Sequence, residues 1–105
     1  MTDLNRLRFL LEHIHNYENC LEIMQECWKL QEGPEGWFFA RIHRIILSLI
    51  DDPDMFHGVG DDLPSPVLDE IAKAAVHGIG AIEMDDRKEL NLAGDELTRA
   101  APFQF

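Results

Sequence analysis

Hydroxyl side chains are scarce in this chain. Thr2, Ser48, Ser65 and Thr98 are its only threonines and serines, and none sits in the tight turn after a strand that exposes a catalytic nucleophile. Cysteine is scarcer still. Cys20 and Cys27 stand seven residues apart in one helical stretch, about 10 Å along the axis, too far to bridge each other. A reducing, cytoplasmic setting is the expectation. His13 falls on the same line as the two cysteines, but that spacing keeps the three from converging on one ion, so no metal is expected.

Glycine-rich phosphate loops are missing as well. Gly58, Gly60, Gly78 and Gly80 lack the strand-to-helix context and lie among acids, and no cofactor is expected. No apolar run reaches membrane-spanning length. Arg6 and Arg8, inside a helical pattern with no small-residue cleavage site, do not make a secretory leader. Basic charge is short: 9 Lys and Arg face 20 Asp and Glu, a net charge of −11. The imbalance is uneven, since residues 1–50 carry 5 basic and 7 acidic side chains and residues 51–105 carry 4 and 13. Phosphate backbones and anionic lipid would be repelled by that second half, so neither direct nucleic-acid contact nor membrane contact is expected.

What is present is apolar and periodic. With 46% hydrophobic residues and six Phe, two Trp and one Tyr, the chain is globular, a single helical domain over 1–105 large enough to bury about two thirds of its unfolded surface. Thr2 and Asp3 offer N-cap oxygens, no Pro or Gly interrupts residues 4–32, and Gly33-Pro34 supplies a stop. One long helix over about 3–32 is predicted. Leu7, Leu10, Ile14, Tyr17, Leu21, Met24 and Trp28 recur at spacings of three and four, the seam of a helix packed lengthwise on another.

That stripe is not straight. In the first half, Leu4, Leu7, Leu10, Leu11, Ile14 and Tyr17 cover roughly 140°, whereas Cys20, Leu21, Ile23, Met24, Cys27, Trp28 and Leu30 cover roughly 180° about a centre rotated by roughly 120°. Either the two halves touch different things or one straight stripe drifts across a single core. On the first view the arc of Leu7, Leu10, Ile14 and Tyr17 is left over for a second copy of the chain, and a homodimer is expected.

A second helix is predicted over about 35–51, ended by Asp51-Asp52-Pro53. Phe38, Phe39, Ile42, Ile45, Ile46, Leu49 and Ile50 share an arc of roughly 140° and form the core wall. Trp37 projects instead onto the face of Arg41 and Arg44, with Arg41 four residues on and able to lie over the indole. Trp37 is read either as a cover for the helix end or as a binding residue. Residues 51–66 read as loop, and Ser65-Pro66 opens a third helix over about 65–83. If Gly78 ended that helix, Ile79 to Met84 would be extended. From 85 to 105 the pattern thins into an acidic, partly irregular segment with room for a short helix near Asp95 to Ala100, closed by Phe103 and Phe105.

The Asp-rich loop fails as a calcium site. Starting at Asp52, His57 stands where the invariant Gly belongs and Leu63 where the bidentate Glu belongs. Acidic pairs such as Asp61-Asp62 and Asp85-Asp86 have no apolar surroundings in sequence that would split their pKa values for acid–base work. The sequence therefore predicts an all-α fold: the long N-terminal helix packed on the second as a hairpin, a third amphipathic helix, and the acidic tail. The function it points to is a non-enzymatic module that binds another protein and inhibits or sequesters it. Leu7, Leu10, Ile14, Tyr17, Trp37, Arg41, Phe103 and Phe105 are its candidate interface residues. Two alternatives stay open, an acidic nucleic-acid mimic filling the groove of a DNA- or RNA-binding protein, and a helical-bundle enzyme whose pocket only the fold reveals.

Overall fold

The structure, a computed structural model, describes residues 3–14, 17–51 and 65–101, with the backbone alone for Tyr17, Ser65 and Pro66. Among them are five helices and no strand: α1 (Asp3–Glu12), α2 (Tyr17–Leu30), α3 (Gly36–Ile50), α4 (Ser65–Glu83) and α5 (Arg87–Ala100). The all-α class holds, and α2 packs on α3 as the expected hairpin. A second hairpin, α4 on α5, stands beside it, and α1 lies against both α2 and α4.

The predicted long helix is two helices. At its break His13 turns back on the last turn of α1: its N–H donates to Leu10 O at 3.3 Å, and its ring Nδ1 lies 2.8 Å from Phe9 O. The carbonyl that a continuing helix would bond to the His13 N–H is met by the His13 ring instead. The ring also stacks on Phe9, with centroids 4.3 Å apart. The reason for a break is the rotation of the apolar stripe. Two arcs set roughly 120° apart cannot both face one core from a straight rod, and folding α1 back against α2 lets them do so. Arg6 fastens the fold-back, its Nε donating to Glu26 Oε1 at 2.9 Å, while Arg8 reaches across to pair with Glu83 of α4.

This corrects the homodimer surface. Leu7 and Leu10, with Leu11, are buried in the chain's own core, and Ile14 is half-buried against it. Leu7 and Leu10 are therefore not on the surface of the described chain.

The core wall is where its periodicity puts it. Phe38, Phe39, Ile42, Ile45, Ile46 and Leu49 are all buried, and α3 ends at Ile50. Phe38 is the central piece, its ring resting on Gly78 of α4, where an added Cβ would meet it within 2.7 Å. Gly78 therefore does not end α4; it makes room for a ring. The helix runs on to Glu83 and stops in a Schellman turn, with Asp86 N donating to Ala81 O at 2.9 Å and Asp85 N to Ile82 O at 3.1 Å. Asp85 takes the left-handed position, at φ 55°.

The irregular C-terminal segment is also corrected. Asp86 caps α5, its carboxylate accepting from Glu89 N at 3.1 Å, and Leu90, Ala93, Gly94 and Leu97 turn one narrow buried stripe inward. Asp, then Glu three residues on, then apolar residues at three- and four-residue steps is a helix start that the surrounding charge conceals.

Candidate functional site

α2 turns Cys20, Ile23 and Cys27 into the core, which leaves Leu21 and Trp28 on its outer edge beside α3. The edges meet where the Trp28 and His43 rings lie 5.8 Å apart. The two helices are joined by the short turn at 31–35, so the hairpin is antiparallel. Trp28 is 63% exposed, Leu21 38% and Leu47 39%, with Met24 and Ile50 half-buried between and beside them. Three large apolar side chains of the hairpin thus stand exposed.

The charges of this hairpin are divided between its two helices. α3 carries Arg41, His43 and Arg44 and not one acidic residue, while α2 carries Glu18, Glu22 and Glu26, and Lys29 at its end pairs with Glu26 at 3.4 Å. On the far hairpin, several acids are engaged within the chain. Glu83 pairs with Arg8 and Glu70 with Lys73, while Glu89 and Glu96 flank His77 at 2.9 and 3.2 Å. The two carboxylates hold opposite nitrogens of the His77 ring, so they cannot converge on one ion, and only the imidazolium donates to both. Their hydrogen bonds and charge raise its pKa, against a smaller opposing effect of burial.

Trp37 and Arg41 are brought together as the sequence predicts. The guanidinium stands 5.1 Å from the indole centroid and donates to Gly94 O at 3.1 Å. The far edge of the indole lies over Gly94, where a Cβ would come within 2.9 Å of the ring, and its other side meets Phe38 edge-on. Trp37, although 41% exposed, is thereby the joint between α3 and α5. Of the other candidates, Leu7 and Leu10 are core, Ile14 is half-buried, and the side chain of Tyr17 with Phe103 and Phe105 lies outside the described residues. Trp28, Leu21 and Leu47 are the surface that sequence reasoning missed. Leu21 and Trp28 share the margin of their apolar arc, next to Gln25, and a margin is the part of a stripe a neighbour leaves uncovered.

Burial pushes the Cys20 thiol up to about 12, and burial with the neighbouring Glu26 charge does the same to Cys27, which suppresses the thiolate that would react. Thr98 spends its hydroxyl on Gly94 O at 3.1 Å. No three His, Cys, Asp or Glu side chains among the described residues are grouped to hold a metal. No helix among them is long and apolar enough to cross a membrane. Comparison with protein-family models, with curated proteins and with solved structures returned no match for this chain.

Proposed function

We propose that this chain is a non-catalytic interaction module that binds another protein and, by occupying it, inhibits or sequesters it. The observation that carries this reading is the exposure of Trp28, Leu21 and Leu47 on the first hairpin. Exposed apolar side chains scattered singly are ordinary, but tryptophan is among the residues most enriched in binding hot spots, and Trp28 is 63% exposed. What supports it over nucleic-acid mimicry is the engagement of Glu70, Glu83, Glu89 and Glu96 within the chain and the cationic outer face of α3.

A photo-crosslinking side chain at position 28 or 47, in the full chain in its native cells, tests the reading. One discrete protein adduct is expected at both positions and none at Glu70 on α4. Affinity for that protein should change less than about tenfold between about 50 and about 500 mM salt, because apolar contact is little screened. Adducts confined to acidic positions, with a steep loss of affinity in salt, would favour the mimic.

A further inference from the structure

The geometry points to a binding site for a small organic acid in the cleft between α3 and α5, with Arg41 as the counter-charge to its anionic oxygens. The site is separate from the exposed side chains of the first hairpin and does not depend on the interaction reading above.

Arg8 and Arg41 are the two half-buried arginines among the described residues. Arg8 meets the carboxylate of Glu83, whereas Arg41 meets none. Its one hydrogen bond goes to Gly94 O at 3.1 Å, and its guanidinium stands 5.1 Å from the Trp37 indole centroid; both partners are uncharged. In a chain with 20 Asp and Glu, a guanidinium drawn partly out of water without a carboxylate beside it is an exception, because buried charge is ordinarily paired. The acids of α5 do not serve it. Asp95 follows Gly94 in the chain yet makes no ion pair with a described residue, and Glu96 is held by His77.

The cleft beside Arg41 suits a small anion. It measures about 440 Å³, a size usual for small-molecule sites, and Trp37, Ala40, Arg41, Arg44 and Thr98 line it, with no acidic side chain among these described residues. The bond to Gly94 O uses Arg41 Nη1 alone. Nε and Nη2, the edge that grips a carboxylate or phosphate through two parallel N–H donors, are bonded to no described residue. Trp37 and Gly94 already hold the guanidinium in place, which lowers the ordering cost that a long side chain otherwise adds to binding. Trp37 and Ala40 give an apolar body a wall to lie against, and Arg44 lines the same cleft as a second guanidinium. An organic cation of the same shape would be repelled by both.

The test is an NMR titration of the full chain with benzoate, phenyl phosphate and benzylamine, three probes that share a ring and differ in the charge of the head group. Benzoate or phenyl phosphate should shift the Trp37 indole N–H and the Arg41 Nε–H signals saturably at millimolar concentration and leave the Trp28 indole signal where it is; the tighter of the two assigns the head group. Benzylamine should move neither signal. Arg41→Lys keeps the charge but loses the two-pronged edge, and should weaken binding at least about tenfold. Arg44→Gln, at an exposed position, is the second variant and should weaken it less; circular dichroism confirms the fold of both. An Arg41 that only joins α3 to α5 would give no saturable shift with any probe, and that result overturns the proposal. Equal shifts with benzylamine, or affinity unchanged in both variants, take the guanidinium out of the site and overturn it as well. So would shifts at Trp28 in place of Trp37, or binding seen only with a Glu-rich peptide, which would make the cleft a contact for an acidic protein surface.

Discussion

Gly78 and Gly80 lie two residues apart in α4, and the same substitution at each should have opposite effects. By helix propensity alone Gly→Ala stabilises an α-helix by up to about 1 kcal/mol. At Gly80 no atom lies within 4 Å of the added methyl, so that gain is expected to survive. At Gly78 the methyl falls within 2.7 Å of Phe38 Cε2 and closer to the rest of the ring edge. The Phe38 ring is fully buried and meets Trp37 and Phe39 edge-on at 5.8 and 5.9 Å, so it has no free space to retreat into. Overpacking of this kind costs about 1–3 kcal/mol, which turns the propensity gain into a net loss of up to about 2 kcal/mol. Denaturant titration of both variants measures the difference, and in a domain of this size 1 kcal/mol also moves Tm by about 4–8 °C. Shortening the ring by Phe38→Leu on the Gly78→Ala background should recover part of the loss, which a double-mutant cycle would register as coupling. If Gly78→Ala stabilises as much as Gly80→Ala, the Phe38 ring is not wedged on α4 and the packing of the two hairpins described above is wrong.

Three further outcomes follow from local contacts. His77, whose pKa is raised above its ordinary 6.5 by Glu89 and Glu96, stabilises the α4–α5 hairpin fully below that value and loses its contribution as pH rises through the higher folded value; the stability gap between the native chain and His77→Gln should therefore narrow above pH 6.5, and a gap that widens there refutes the assignment. At the α4–α5 turn, Asp86→Ala should cost about 1 kcal/mol by removing the cap on Glu89 N, while Asp85→Gly should stabilise, because glycine takes φ 55° without a Cβ clash; chemical denaturation reads both signs. Cys20 and Cys27, buried with thiols pushed up to about 12, should react with a thiol reagent no faster than the chain opens, and fast labelling of the native protein would contradict their burial.

Periodicity alone determined the class and the centre of this protein. The run from Trp37 to Ile50 has its apolar residues so tightly grouped that only an inward-facing helix satisfies them, and α3 is that helix. The Ser65-Pro66 start and the stretch to Glu83 were equally legible, because capping and turn chemistry act over a few neighbouring residues. The break between α1 and α2 was not, although its trace was present as the rotated stripe: no Pro or Gly marks residues 4–32, and a rotation of apolar residues says that two directions must be buried without saying whether the rod bends or meets two partners. Only the packing of α1 against α2 and α4 decided that. The same limit hid α5, whose cap and apolar stripe are short signals among charges until α4 offers the surface on which Leu90 and Leu97 are buried. It hid the exposed side chains of the first hairpin too. A helical wheel ranks Trp28 with Cys20 and Cys27 as one arc, and which margin of an arc stays in water depends on the width and position of the neighbouring helix, a property of the assembled fold that no single segment contains.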